Sequence, residues 1–143
     1  MTAATTTVSR RANIALWTAQ SLLCMLFLFA GSAKFAMPAD KLVDASTVPL
    51  SFIYVIGAAE LLGALGLVLP GLVRRHRDLT PLAAIGFVII MTGATVLTAT
   101  TGPVATALLP FVAGIFCGVV AYGRRSWAPY LESRQPATLA PTR

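Results

Sequence analysis

The sequence has few charged residues. Only 11% of its 143 residues are Asp, Glu, Lys or Arg, whereas 57% are hydrophobic. The mean hydropathy is +0.79, well outside the range of soluble globular domains. This composition excludes a soluble enzyme or binding module and predicts a membrane protein whose main partner is the lipid bilayer.

Side chains that hold metals and redox cofactors are also scarce. The single histidine, His76, lies in a basic run, so the chain cannot supply paired axial histidines for a haem within the membrane. The two cysteines, Cys24 and Cys117, stand alone in apolar segments without a C-x-x-C motif. We therefore expect no metal site and no covalently bound cofactor, and we predict that both thiols are reduced.

The few charges are mostly basic, with a net charge of +6. Because these residues flank apolar segments, they fit a topogenic role and disfavour a nucleic-acid partner. Of the 11 Lys and Arg residues, only Lys34 and Lys41 lie in or beside the first loop; the others lie in the N-terminal segment, the second loop and the tail. The positive-inside rule then predicts that both termini are cytoplasmic, in a bacterial inner membrane.

Four apolar stretches are each long enough to cross a bilayer, which takes about 20 helical residues. They predict an all-α integral membrane four-helix bundle. The expected spans are residues 12–35, 50–69, 81–99 and 104–122, within a membrane domain of residues 12–124. Residues 1–11 would form a cytoplasmic segment, and the proline-containing residues 125–143 a cytoplasmic tail that is mostly disordered.

Prolines set several of the expected boundaries. Pro70 should end span two, and Thr80 should cap span three with Pro81 in the first helical position. Pro110 should interrupt the hydrogen bonds of span four and kink it. The polar residues 37–49 are expected to form a loop between the first two spans.

Five polar residues form a candidate intramembrane site. Glu60 lies in the middle of a span, where an unpaired carboxyl is costly. The assumed inner ends of spans one and two place Gln20 level with Glu60, which predicts a hydrogen bond between them. Lys34 would lie about 18 Å farther out and extend to the interface. Thr95 and Thr98 are expected to bond back to their own helix and to line an outward-facing pocket. The alternative is that Gln20 and Glu60 only lock the bundle together.

Glycines are expected where helices approach closely. Gly31 lies on the polar stripe of span one, and Gly57 and Gly63 lie one turn on either side of Glu60. In span four, Gly114 and Gly118 form a small-xxx-small pattern. These five positions predict helix packing rather than chemistry.

Each of the four spans contains short motifs. They are Trp17-x-x-Gln20 with Phe29-Ala30-Gly31-x-x-Lys34-Phe35; Gly57-x-x-Glu60-Leu61-Leu62-Gly63 with Gly66-Leu67-x-x-Pro70; Leu79-Thr80-Pro81-Leu82-Ala83-Ala84 with Met91-x-Gly93-Ala94; and Val120-Ala121-Tyr122-Gly123-Arg124. Together these stretches resemble the DoxX-like family of bacterial membrane proteins. The resemblance covers residues 13–124 and implies a four-helix membrane bundle, with Gly31, Lys34 and Glu60 at recurrent family positions.

The resemblance also implies a function, because relatives are linked to thiosulfate oxidation with quinone and to membrane complexes that handle oxidative and thiol stress. We expect a small subunit of a membrane-bound oxidoreductase system that contacts quinone or lipid near Gln20, Lys34 and Glu60. Thr98 stands where similar proteins often carry a histidine. One alternative is a non-enzymatic packing or assembly subunit of a larger complex or homo-oligomer. Another is a small-solute carrier, which the lack of an inverted repeat disfavours.

Overall fold

A computed structural model describes residues 10–44, 47–73 and 76–125. The predicted tail beyond residue 125 and the first nine residues lie outside this range. The described residues form five α-helices and one 3-10 turn. In chain order they are α1 (Arg10–Ala36), α2 (Ala39–Asp44), α3 (Leu50–Val73), α4 (Leu79–Thr101), the 3-10 turn (Val104–Ala107) and α5 (Leu108–Gly123).

Four of these segments are long and apolar enough to cross a membrane. They are α1, α3, α4 and the combined segment Val104–Gly123. Many of their largest apolar side chains point outward, including Leu22, Phe29 and Leu62. In a soluble protein such a surface would drive aggregation, but here it meets lipid hydrocarbon. The predicted all-α membrane bundle of four spans is therefore confirmed.

The helices pack in a ring, in the order α1, α3, α4, α5, with α5 returning to α1. Phe27 of α1 and Phe87 of α4 stack at the centre, with ring centroids 3.7 Å apart. Cys117 and Val120 of α5 are completely buried beside them. Both chain ends of the described bundle and the α3–α4 connection lie at one end, called here the terminal end. The opposite end, which carries α2, is called the α2 end.

The second span does not stop at Pro70. Helix α3 includes this proline and continues to Val73. One turn earlier, the carbonyl of Leu67 accepts hydrogen bonds from Gln20 Nε2 (2.6 Å) and Thr80 Oγ1 (3.5 Å). Side chains of two neighbouring helices thus bond to the α3 backbone in the turn before the proline.

The predicted cap is also wrong, and Pro110 lies at the start of an α-helix rather than in the interior of one. Helix α4 begins at Leu79, so Thr80 is inside it and its buried hydroxyl points to α3 rather than to its own backbone. Pro110 is the third residue of α5, where an N–H would have no helical partner. The irregularity of the fourth span instead lies before it, in the 3-10 turn. The predicted 37–49 loop contains the short helix α2, whose Leu42 is buried.

Candidate functional site

An ion pair joins the first two spans. Lys34 Nζ of α1 lies 2.7 Å from Glu60 Oε2 of α3. The carboxyl side chain is 6% exposed and the lysine side chain 26% exposed. Lys34 Nζ also donates to the carbonyl of Ala30, at 3.4 Å. A charge pair within a span is costly to desolvate, and such residues usually mark a functional site.

Two glycines bring the helices close enough for this pair to form. A Cβ added to Gly31 would lie 3.0 Å from the carbonyl oxygen of Gly57, and one added to Gly57 would lie 3.3 Å from Cβ of Lys34. Only residues without side chains allow the two backbones to approach this far. Farther toward the α2 end, Phe35 and Tyr54 stack with centroids 5.5 Å apart. The pair therefore lies beneath an aromatic contact and beside a glycine crossing.

The predicted Gln20–Glu60 hydrogen bond is absent, and Lys34 does not extend away from the bundle. The prediction from sequence assumed that residue 12 of the first span and residue 69 of the second lie at the same depth in the membrane. Instead Gln20 lies beside Leu67, seven residues or about 10 Å along α3 from Glu60. In addition, long helical side chains point toward the N-terminus of their own helix. Lys34 therefore reaches back to Glu60 instead of outward.

A second polar cluster ties α5 to α1 at the terminal end. Arg124 is 3% exposed. Its Nε donates to Gln20 Oε1 at 2.9 Å, and its Nη1 donates to Asn13 Oδ1 at 2.7 Å. Its guanidinium also lies over the ring of Trp17, 5.4 Å from the centroid. Gln20 belongs to this cluster and not to the Lys34–Glu60 pair.

The electrostatics of the second cluster are dominated by burial. Burial, followed by the positive charge of Arg77, lowers the pKa of Arg124 from its ordinary value. Arginine starts from a value so high that it remains a cation. Arg124 is therefore a fixed positive charge. It orients the side-chain amides of Gln20 and Asn13 so that their oxygens point toward the guanidinium.

Sequence analysis missed the role of Arg124. This residue was grouped with the basic residues that set topology, although it closes the stretch Val120–Arg124 on which the family resemblance partly rests. The available signal was its position on the same end of the bundle as Asn13 and Gln20. Charge counting alone does not distinguish a buried arginine from one in solvent.

The two candidate threonines lie apart from both clusters. Thr95 and Thr98 each donate a 2.7 Å hydrogen bond to the carbonyl four residues earlier, of Met91 and Ala94. Thr95 lines a largely apolar groove between α4 and α5, whereas Thr98 lines a half-polar cavity of about 530 Å³ near Asp44. The structure thus separates the five predicted polar residues into distinct locations, and only Lys34 and Glu60 contact each other.

Residues 18–120 match the DoxX-like family. This range covers most of the chain. The chain belongs to the DoxX-like family. No curated protein and no solved structure matches it. The family assignment predicted from the short stretches of the four spans is therefore confirmed.

Most of the predicted packing glycines of this DoxX-like protein lie in close contacts. Beyond Gly31 and Gly57, a Cβ on Gly63 would lie 2.6 Å from Cζ of Phe87. A Cβ on Gly114 would lie 3.2 Å from Cβ of Met91, but one on Gly118 would have no atom within 4 Å in the described bundle. The packing predicted for Gly118 is therefore absent here, because its side of α5 turns away from the other helices.

Gly63 should be the glycine of the DoxX-like bundle least tolerant of a side chain. Gly63→Ala forces a methyl group against the Phe87 ring, which is held by its stack on Phe27, and should cost about 1–3 kcal/mol of stability. Gly86→Ala is the matched control, since its Cβ would enter open space. Unfolding in mixed detergent micelles measures both. Equal stability of the two variants would contradict this packing.

No ligand set for a metal is evident in the part of the DoxX-like chain that the structure describes. Within residues 10–44, 47–73 and 76–125, no three His, Cys, Asp or Glu side chains come together. Cys24 and Cys117 are both free. Cys117 is completely buried in the core, whereas Cys24 is partly buried. The ion pair and the arginine cluster are therefore the chemically distinctive features of the described bundle.

Proposed function

We propose that this DoxX-like protein is a small membrane subunit of an oxidoreductase system and that its Lys34–Glu60 pair contacts a quinone. The observation that carries the proposal is a charged pair held within two membrane spans, with the carboxyl side chain buried and the lysine side chain partly exposed. A purely structural bundle has little use for such a pair, because apolar residues in its place are often equally stabilising.

The lysine has hydrogen-bonding capacity left for a ligand. An ammonium group has three N–H donors. Glu60 and the carbonyl of Ala30 account for two of them. The third is suited to a carbonyl oxygen such as that of a quinone, while the contact with Glu60 holds the lysine side chain in place. The Lys34 side chain is partly exposed, which would leave room for a membrane-soluble ligand beside it.

The chain's part in such a system is to bind and orient the quinone. The electrons would come from a partner chain that carries a flavin or an iron–sulfur cluster. This division fits the scarcity of redox ligands in the sequence, which has one histidine and two cysteines. A partner chain of this kind can be recognised by the flavin or iron–sulfur cluster that it carries.

The test is gentle purification of the tagged full chain from native membranes, followed by identification of co-purifying proteins and extraction of quinone. We expect a flavin- or cluster-bearing partner and quinone bound to the wild-type protein. The double variant Lys34→Gln/Glu60→Gln removes both charges but keeps polar side chains, and it should retain the partner while losing most of the quinone. Lys41→Gln, which alters an exposed lysine outside the pair, is the matched control.

Two results would contradict the proposal. One is quinone content that is the same in the wild type and the double variant. The other is a partner without any redox cofactor, which would favour the packing or assembly subunit. That second function has its own observation, since Cβ atoms on Gly86, Gly93 and Gly118 would have open space, and such small-residue faces suit a further helix.

The proposed location is a bacterial inner membrane, with both termini in the cytoplasm. The support is the excess of arginine at the terminal end, where Arg10, Arg11, Arg77, Arg124 and Arg125 lie. Reporter fusions after Arg77 should therefore signal the cytoplasm, and a fusion near Asp44 should signal the opposite side. A cytoplasmic signal at Asp44 would reverse the orientation without changing the bundle.

A further inference from the structure

We propose that the seam between α1 and α5 binds an anionic phospholipid, with the headgroup at the terminal end and an acyl chain along the seam. The site is separate from the Lys34–Glu60 pair, which lies between α1 and α3 toward the α2 end. The inference does not depend on the proposed quinone contact.

Two neighbouring cavities that share Leu22 form the seam. The one nearer the terminal end is an open depression of about 400 Å³ on α1 alone, with a partly polar lining that includes Asn13, Trp17 and Ser21. The deeper one has a volume of about 210 Å³ and lies between apolar residues of both helices. Its walls include Leu26 of α1, and Leu109 and Phe116 of α5. Polarity therefore falls along the seam, as it does along a lipid.

The length of the seam also fits a lipid chain. Its α1 wall extends from Asn13 to Leu26, which is about 20 Å along a helix. The hydrocarbon of one leaflet is about 15 Å thick, half of a typical bilayer core. A headgroup level with Asn13 would therefore leave its acyl chain beside the apolar wall, and Trp17 would lie at the interface where its amphipathic ring is favoured.

The mouth of the seam is suited to a negative headgroup. Arg10 is exposed and lies one helical turn before Asn13 and Ile14, on the same side of α1. Asn13 turns its oxygen to Arg124, so its N–H donors point the other way. The lining residues include no carboxylate. A cation, amide donors and the positive field of Arg124 thus face the level at which lipid phosphates lie.

The experiment is native mass spectrometry of the full chain in neutral detergent, titrated with phosphatidylglycerol, phosphatidylcholine and glycerol phosphate. We expect phosphatidylglycerol adducts at severalfold lower lipid concentration than phosphatidylcholine adducts, and none with glycerol phosphate. Arg10→Gln should weaken phosphatidylglycerol binding about fivefold, the effect of one basic residue near a lipid surface. Leu22→Trp should fill the seam and abolish most binding of both lipids.

Each variant has a control on another face. Lys41→Gln removes the same charge from the α2 end, and Leu62→Trp enlarges a side chain of similar exposure on α3, 71% against 67% for Leu22. Both should bind as the wild type does. Equal binding of the two lipids, equal losses with Arg10→Gln and Lys41→Gln, or tight binding of glycerol phosphate would overturn the proposal. A dimer that Leu22→Trp dissociates, without lipid adducts, would assign the seam to a second copy instead.

Discussion

Replacing Glu60 with Leu should destabilise the bundle by about 3–5 kcal/mol, because it leaves the Lys34 ammonium without its carboxylate between two membrane spans. Lys34→Met should have a cost of the same order, since it leaves the more deeply buried charge alone. The free energy of unfolding in mixed detergent micelles measures both changes.

The double variant Lys34→Met/Glu60→Leu separates a pair from two independent residues. It removes both charges and leaves side chains of similar length, so it should be more stable than either single variant. If the loss of unfolding free energy in the double variant equals the sum of the losses in the two single variants, the two residues do not stabilise each other. If the pair is a working site, the folded double variant should also lose quinone-linked activity. Full activity of that variant would leave the pair with a structural role only.

Removing Arg124 should have the second-largest effect. Arg124→Met leaves the oxygens of Gln20 and Asn13 without their donor and breaks the polar link between α5 and α1. Hydrogen bonds to charged groups contribute about 1.5–3 kcal/mol each, so we expect a loss of at least about 2 kcal/mol. Arg124→Lys should recover less than half of it, because a lysine cannot reproduce the forked guanidinium.

Arg125→Met is the matched control for Arg124. Its guanidinium is exposed and stacks on Tyr122, 3.9 Å from the ring centroid, so its loss should change stability by less than about 0.5 kcal/mol. The emission of Trp17, read in a Trp127→Phe background, provides a second measurement. It should change with Arg124→Met, since the guanidinium lies over that ring, and stay constant with Arg125→Met. Equal effects of the two arginine substitutions would contradict the cluster.

The spans could be recognised from the sequence because crossing a bilayer is a local requirement. Each span must be long enough and apolar enough on its own, whatever its neighbours are. The family could be recognised for a related reason, since its motifs are short and each lies within a single span. The span ends were less predictable. Helix α3 continues past Pro70, and a side chain of α1 donates to the backbone carbonyl of Leu67 in the turn before it.

The sequence by itself thus determined the membrane class, the number of spans, the family, and that Glu60 required a partner. Only the tertiary structure decided which partner. Helix pairing depends on register, and an error of about 10 Å along α3 exchanged Lys34 for Gln20. Register follows from close approaches such as that of Gly31 and Gly57, and from the direction of a long side chain, neither of which hydropathy contains. For the same reason, the sequence does not show that Arg124 is buried between α1 and α5, because this burial depends on the packing of α5 against α1.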